Sequence, residues 1–304
     1  MQGRIINLNG GVYQVDLGNE VVSVKARGKL RNVKTTAVNT KAISKKEEVV
    51  IIKNSPKVGD IVEINNDMID KILDRKNELI RPDIANVDQI LLVFAAKEPD
   101  FSFYLLDLFI ANITKQNIVP LIVISKIDKL TEQELNELKE KMAYYTNLGY
   151  PVLFVDSKHN VGVDLVIEHL KNKVTVLSGQ TGAGKSTLIN AIFPDFQLQT
   201  QEISQALGRG KHTTRQTTLY KYYDGYIGDT PGFSKLDVLG IEKTELKDLF
   251  VDFNDCVCRF KDCIHQKNAK DCGVANAVNE GTVLKTRHEN YLKMLEQITQ
   301  KEKR

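Results

Sequence analysis

Long apolar runs are missing from this sequence. The longest, 90–96, ends at Lys97, far short of the roughly 18 to 20 apolar residues that a membrane-spanning helix needs. The N-terminus has no apolar signal core and reads as an amphipathic strand, so a cytoplasmic protein with no membrane partner is expected. Excess charge is also scarce: the net charge is +3 over 304 residues, and a nucleic-acid surface would have to come from local clustering. Cysteine is confined to four residues, all between Cys256 and Cys272. In a reducing compartment such a cluster points to a metal site rather than to disulfides. What is present is an apolar content of 42%, enough for packed cores in a chain long enough for two or three domains.

The texture changes twice along the chain. Residues 1–72 carry short β-branched runs at 4–8, 12–17, 20–26, 60–64 and 69–73, punctuated by Gly10-Gly11, Gly18-Asn19, Gly59 and Asn65-Asn66. Five short strands with turns between them suit a small closed barrel, with a β-sandwich fragment as the alternative. From about residue 87, strand-like and helical runs alternate. Strands are expected at 88–95, 120–124, 152–155, 173–177 and 222–228, and helices at 101–116, 131–148, 163–171 and 185–193. Alternation of this kind builds a parallel sheet covered by helices on both faces, with ligands beyond the carboxyl ends of the strands. After residue 244 the strands stop. A helix is expected around 244–250 and another from 280 to about 299. Three units follow: 1–72, 73–244 and 245–304.

Gly179-Gln180-Thr181-Gly182-Ala183-Gly184-Lys185-Ser186 fits G-x-x-x-x-G-K-S between a predicted strand and a predicted helix, the context that motif requires. Its glycines let backbone N–H groups curl around phosphate oxygens, and the helix N-terminus adds partial positive charge. Lys185 would reach the β- and γ-phosphates and the Ser186 hydroxyl would bind Mg²⁺. Thr187, next in the helix, is counted with the nucleotide contacts. Ser125-Lys126-Ile127-Asp128 follows another predicted strand and is similar to the N-K-x-D element that reads guanine. The Asp128 carboxylate can accept from both guanine N–H donors, which adenine cannot match, and the Lys126 stem can lie along the base. Ser125 supplies only part of the hydrogen bonding of an asparagine. In Asp156-Ser157-Lys158, the residues Ser157 and Lys158 are similar to the loop that touches guanine O6. In Asp229-Thr230-Pro231-Gly232, Asp229 would hold Mg²⁺ through water and the Gly232 amide would sense the γ-phosphate.

The order of these elements is informative. The guanine element precedes the phosphate loop, and no N-K-x-D candidate follows Gly232, so the domain is circularly permuted; the motifs keep their strand ends under such a permutation. Between the phosphate loop and Asp229 lies the basic, glycine-rich Gly208-Arg209-Gly210-Lys211-His212-Thr213-Thr214-Arg215. Its threonines are candidates to complete the Mg²⁺ shell, Thr214 ahead of Thr213. Phe233 stands where many such enzymes carry a water-orienting glutamine. His212 is the candidate catalytic group in its place, because an imidazole can polarise water near neutral pH.

Cys258, Cys263, His265 and Cys272 supply three thiolates and an imidazole, a set suited to one closed tetrahedral Zn²⁺ site, with Cys256 as a spare thiol. A short module of this kind has little core, so the ion would carry much of its stability. Eight basic residues fall between Lys25 and Lys46 with no acidic one: Lys25, Arg27, Lys29, Arg31, Lys34, Lys41, Lys45 and Lys46. The stretch has no aromatic residue, so it suits phosphate contact with RNA rather than base reading.

Taken together, these residues resemble the small-ribosomal-subunit-dependent GTPase A family (RsgA/YjeQ) over nearly the whole chain. Further segments carry the likeness: the entry Arg81-Pro82-Asp83-Ile84-Ala85-Asn86-Val87-Asp88, the run Asp229-Thr230-Pro231-Gly232-Phe233, and Arg287-His288-Glu289-Asn290-Tyr291-Leu292 near the C-terminus. The resemblance implies an OB-type β-barrel, a central α/β circularly permuted P-loop GTPase domain and a C-terminal helical zinc-binding module. It implies a GTP hydrolase using GTP, Mg²⁺ and one structural Zn²⁺, acting as a monomer on the small ribosomal subunit and its rRNA late in maturation, with hydrolysis stimulated by the subunit. Ser125 replaces the family's usual asparagine, and the His265–Cys272 gap is one residue longer than the commonest family pattern, which a loop absorbs. The alternative from the same motifs is a nucleotide-gated RNA-binding module whose hydrolysis is incidental. An ATPase is a third reading, against which Asp128 argues.

Overall fold

The computed structural model describes residues 1–31, 33–38, 47–52, 55–79, 83–193, 217–229 and 240–302. The barrel is built from β1 (Gln2–Asn9), β2 (Val12–Asp16) and β3 (Val21–Ala26), then β6 (Ile61–Asn65) and β7 (Met68–Ile72). Between β3 and β6 runs a separate antiparallel pair, β4 (Val33–Val38) and β5 (Glu47–Ile52), which the sequence reading did not anticipate. The barrel closes in the order β1-β2-β3-β7-β6, and only β3 and β7 pair in parallel. Closure removes exposed sheet edges. Alternating residues Ile5, Val15, Val24, Val62, Ile64 and Ile69 fill its interior. All five expected barrel strands are present, and the sandwich alternative is excluded.

A two-strand link, β8 (Glu78–Leu79) and β9 (Ile84–Ala85), leads into a six-stranded sheet. Its strands are β10 (Gln89–Ala95), β11 (Val119–Ser125), β12 (Val152–Val155), β13 (Val174–Gly179), β14 (Thr218–Tyr222) and β15 (Gly225–Asp229), in the spatial order β12-β11-β10-β13-β15-β14. All neighbours are parallel except the edge pair β14–β15. Strand β10 is buried along its whole length, as its unbroken apolar run requires of a central parallel strand. Its side chains alternate. Ile90, Leu92 and Phe94 pack with α1 (Phe103–Thr114) and α2 (Glu132–Asn147), while Leu91, Val93 and Ala95 pack with α3 (Val163–Leu170) and α4 (Lys185–Ile192). Thr131 opens α2 with a full capping box: its hydroxyl accepts from the Glu134 N–H, and the Glu134 carboxylate accepts from the Thr131 N–H.

The C-terminal part is helical. Two 3₁₀ turns, Leu246–Leu249 and Val251–Phe253, precede α5 (Gly273–Glu280) and α6 (Lys285–Glu302). The expected last helix therefore begins at Lys285 rather than at 280, because Gly281, at φ 80°, caps α5 in the left-handed region. A third core joins these elements to α1: Leu108 and Ala111 pack with Leu246, Phe250, Phe253, Tyr291 and Met294. Among the described residues no helix is long and apolar enough to cross a membrane.

Candidate functional site

The permuted motifs meet on one edge. Strand β10 pairs with β11 on one side and β13 on the other, while the chain reaches β13 only after β12. The sheet order thus reverses between β10 and β13, the place beyond the carboxyl ends where open α/β sheets bind their ligands. Gly179 ends β13, Ser125 ends β11, Val155 ends β12 and Asp229 ends β15. Ser125 pairs in register with Ala95 and Val155, and Gly179 with Val93. The phosphate loop, the guanine element and the 156–158 turn therefore lie side by side.

The loop leaves β13 through Gly179 at φ 126°, and a Cβ there would sit 2.0 Å from the Val93 carbonyl oxygen. Only glycine fits. Gly182 and Gly184, at φ 77° and 82°, turn the chain into α4, which Lys185 opens. The Lys185 ammonium donates to the loop's own carbonyls, Gly179 at 3.0 Å and Gln180 at 2.7 Å. Ser186 is half-buried in the first helical turn, and Thr181 and Thr187 are exposed. Ser125 is buried, and its hydroxyl lies between the carbonyls of Phe94 (3.1 Å) and Ala183, the latter in the phosphate loop. The Ser125–Ala183 contact ties the 125–128 turn to the phosphate loop. Lys126, left-handed at φ 58°, donates to the Glu98 carbonyl. The Gln180 amide donates to the Asp100 carbonyl at 3.4 Å. This covering segment, 97–101, is a neighbour of the phosphate loop that no sequence motif marked.

Asp128 sits in a short 3₁₀ turn, with Lys158 Nζ 3.8 Å from its carboxylate. Asp156 shapes the adjoining turn. Its carboxylate accepts from the N–H groups of Lys158 (2.9 Å) and His159 (3.4 Å) and contacts the His159 ring. Burial pushes the Asp156 carboxyl up, but the His159 bond and the two amides outweigh it and hold it below the usual range. Ser157 is half-buried in the same turn. Asp229 is described as the last residue of β15, beside the β13 strand that feeds the loop. His212, Thr213, Thr214, Gly232 and Phe233 lie outside the described residues.

The second cluster is at the C-terminal module. The ligating atoms of Cys258, Cys263, His265 and Cys272 all lie within 4.8 Å of one another. His265 Nδ1 is 3.5 Å from the Cys258 and Cys272 sulfurs and 3.6 Å from that of Cys263, and the Cys258 and Cys272 sulfurs are 3.9 Å apart. A tetrahedral zinc with Zn–S of about 2.3 Å and Zn–N of about 2.0 Å requires S···N of roughly 3.5 Å and S···S of roughly 3.8 Å, so the donor set fits that ion. Gly273, first residue of α5, donates its N–H to Cys258 Sγ at 3.2 Å. Burial raises the Cys258 thiol, but this amide and neighbouring thiols bring it below its ordinary value. Burial also brings the His265 imidazole down to about 4, favouring the neutral form a metal needs. Asp271, left-handed at φ 53°, closes the loop before Cys272. Cys256 faces the Asp252 carbonyl at 3.6 Å and stands outside the four-ligand group. Within the basic stretch, Lys25 is exposed on β3 and Arg27 pairs with Asp70 at 3.1 Å, while Lys41, Lys45 and Lys46 lie outside the described residues.

Comparison with known proteins agrees with this layout. The RsgA GTPase family model matches residues 72–239. The small ribosomal subunit biogenesis GTPase RsgA of Onion yellows phytoplasma is 41% identical, the alignment covering 97% of this chain and 96% of the relative. The protein of the same name from Halalkalibacterium halodurans is 39% identical over 100% of this chain and 99% of its own. Among solved structures, YjeQ from Thermotoga maritima superimposes with a TM-score of 0.80 at 33% identity, covering 98% of both chains. YloQ, described as a circularly permuted GTPase, gives 0.75 at 30% identity over 99% of this chain and 95% of its own. The chain belongs to the RsgA GTPase family.

Proposed function

We propose that this protein hydrolyses GTP to GDP and phosphate in the cytoplasm, as a monomer acting on the maturing small ribosomal subunit and its rRNA. The relatives' name, small ribosomal subunit biogenesis GTPase, supports the partner. The observation that carries the reading is the bonded contact of Ser125 with Ala183, which seats the guanine element against the phosphate loop. Residues 1–72, 73–244 and 245–304 act as RNA-binding barrel, GTPase unit and zinc module.

The roles follow from position. Asp128 accepts from the guanine N–H donors, Lys126 lies along the base, and Ser157 and Lys158 border it. Residues 179–187 wrap the phosphates with backbone N–H groups at the start of α4. Lys185 exchanges the Gly179 and Gln180 carbonyls for β- and γ-phosphate oxygens, a stronger, charge-assisted bond. Ser186, Thr214 and Asp229 are oxygen donors fitted to Mg²⁺, which when bound neutralises charge on the phosphates. The Gly232 amide marks the γ-phosphate, and Thr213 is the alternate threonine. His212 orients the attacking water, a task Phe233 cannot perform. Cys258, Cys263, His265 and Cys272 hold a structural Zn²⁺.

The test is GTP turnover with and without purified small and large subunits. Slow hydrolysis alone and faster hydrolysis with small subunits are expected; equal rates in all three conditions overturn the reading. His212→Ala is expected to bind GTP and lose the stimulated turnover, by about 10²- to 10⁴-fold for a positioned acid–base group. Unchanged turnover removes His212 from the mechanism.

A further inference from the structure

The segment Arg287–Leu292 takes no part in the chemistry above, yet its Arg287 is among the most deeply buried charged groups of the described residues. Arg287 and Asp107 are both essentially free of solvent, and they form an ion pair. Asp107, in the middle of α1, has a full set of partners. One oxygen accepts from Arg287 and from the Tyr145 hydroxyl (2.9 Å), and the other accepts from the Asn290 amide (2.7 Å). Arg287 Nε also donates to Asp252 at 2.9 Å, and the guanidinium lies over the Phe250 ring at 4.7 Å. The next row of the same helix faces the zinc ligands' loop. The Tyr291 hydroxyl donates to the Ile264 carbonyl at 2.7 Å, and His288 Nε2 lies 3.1 Å from the His265 carbonyl. Positions 287 and 290 form one row of α6 and 288 and 291 the adjoining row, as helical spacing requires.

Helix α1 is placed to carry a signal. The segment leading into it holds Lys126 and Gln180 through the Glu98 and Asp100 carbonyls, and Pro99 lies against Gly182. At its other end Lys115 donates to the Gly240 carbonyl and pairs with Glu245 at 2.6 Å, just beyond the segment that follows Gly232. A buried ion pair gains little over well-packed apolar residues, but it tolerates only one geometry. We propose that Asp107 and Arg287 are positioning residues that key the zinc module to α1, so that docking of the module on the small subunit is delivered to the phosphate loop. This rests on the reading of the protein as a subunit-stimulated GTPase.

The experiment is Asp107→Asn in the full-length protein. The amide keeps the side-chain volume, and Arg287 keeps Asp252. Zinc content, guanine-nucleotide affinity and kcat with and without small subunits are measured together. Zinc content, affinity and unstimulated kcat are expected to stay within about twofold, while stimulated kcat falls about tenfold, the scale of a lost coupling between sites. Tyr291→Phe, which removes one hydroxyl at the zinc end, is expected to act in the same direction. Stimulation equal to wild type in both variants overturns the proposal and leaves the GTPase reading intact. A parallel loss of nucleotide affinity and unstimulated turnover in Tyr291→Phe assigns the residues a merely structural role and also overturns it. If Asp107→Asn loses zinc and helical circular dichroism, Tyr291→Phe alone decides. Absence of stimulation in the wild type removes the GTPase reading and this inference together.

Discussion

On the proposed reading, Ser125 and Asp128 divide the work of guanine recognition at the level of single side chains. The buried Ser125 hydroxyl is engaged with the Ala183 carbonyl, so on that reading it holds architecture and base reading falls to Asp128. Among the described residues, the cation paired with Asp128 is Lys158 at 3.8 Å, which is largely exposed, and a pair of that kind contributes little. The carboxylate is therefore free to accept from two guanine N–H groups. Hydrogen bonds to a charged group are worth about 1.5–3 kcal/mol each. Asp128→Asn, which converts one acceptor into a donor, is expected to weaken GTP binding about 100-fold and to favour a nucleotide whose base accepts where guanine donates, such as xanthine. Competition of GTP, XTP and ATP for the variant checks this; undiminished GTP preference would mean that specificity lies elsewhere.

Among the elements, the strand–loop–helix 174–192 is the most tightly specified. Gly179→Ala meets a left-handed φ of 126° and a Cβ 2.0 Å from the Val93 oxygen, so either β10 and β13 part or the loop opens. The expected outcome is loss of GTP binding by at least tenfold with the barrel and zinc content preserved, read by nucleotide titration and metal analysis. This element was fully legible in the sequence because its glycines, lysine and serine are contiguous and flanked by an apolar strand. The barrel strands were legible through β-branched runs and turn residues. Strand β14 was not. A single strand is expected at 222–228, but the turn between β14 and β15 falls inside that range and puts Tyr223 at φ 47°, a conformation tyrosine seldom adopts. Helix α5 was hidden because it begins with Gly273, a poor helix former retained because a Cβ would sit 2.4 Å from the Val257 carbonyl. The Asp107–Arg287 pair is separated by 180 positions; the sequence marked Arg287 within a motif but offered nothing that named its partner.

For the whole molecule, the barrel grips the hairpin β14–β15, whose two strands border the segments 194–216 and 230–239. Asp16, on β2, is the centre of that contact. It accepts from the Tyr226 hydroxyl at 2.9 Å and from the Gly18 N–H at 2.6 Å, and Lys221 Nζ lies 3.3 Å away. Arg4 adds a contact over the Tyr226 ring at 5.4 Å. Burial pushes the Asp16 carboxyl up, but these donors outweigh burial and hold it below the ordinary carboxylate range. The folded protein therefore binds this proton less readily than the unfolded chain. The stabilisation is complete above the unfolded carboxylate value of about 4 and is lost as pH falls through the lower folded value. Asp16→Asn is expected to cost about 1.5–3 kcal/mol at pH 7, the range for hydrogen bonds to a charged group. The difference in urea stability between wild type and variant should hold constant from pH 7 to about 5 and narrow below about 4. Other carboxylates titrate in both proteins and cancel in the difference, so the narrowing reports Asp16 alone. A gap that stays constant through the acid range would show that the barrel is held on the hairpin by shape and Arg4, and not by the charge of Asp16.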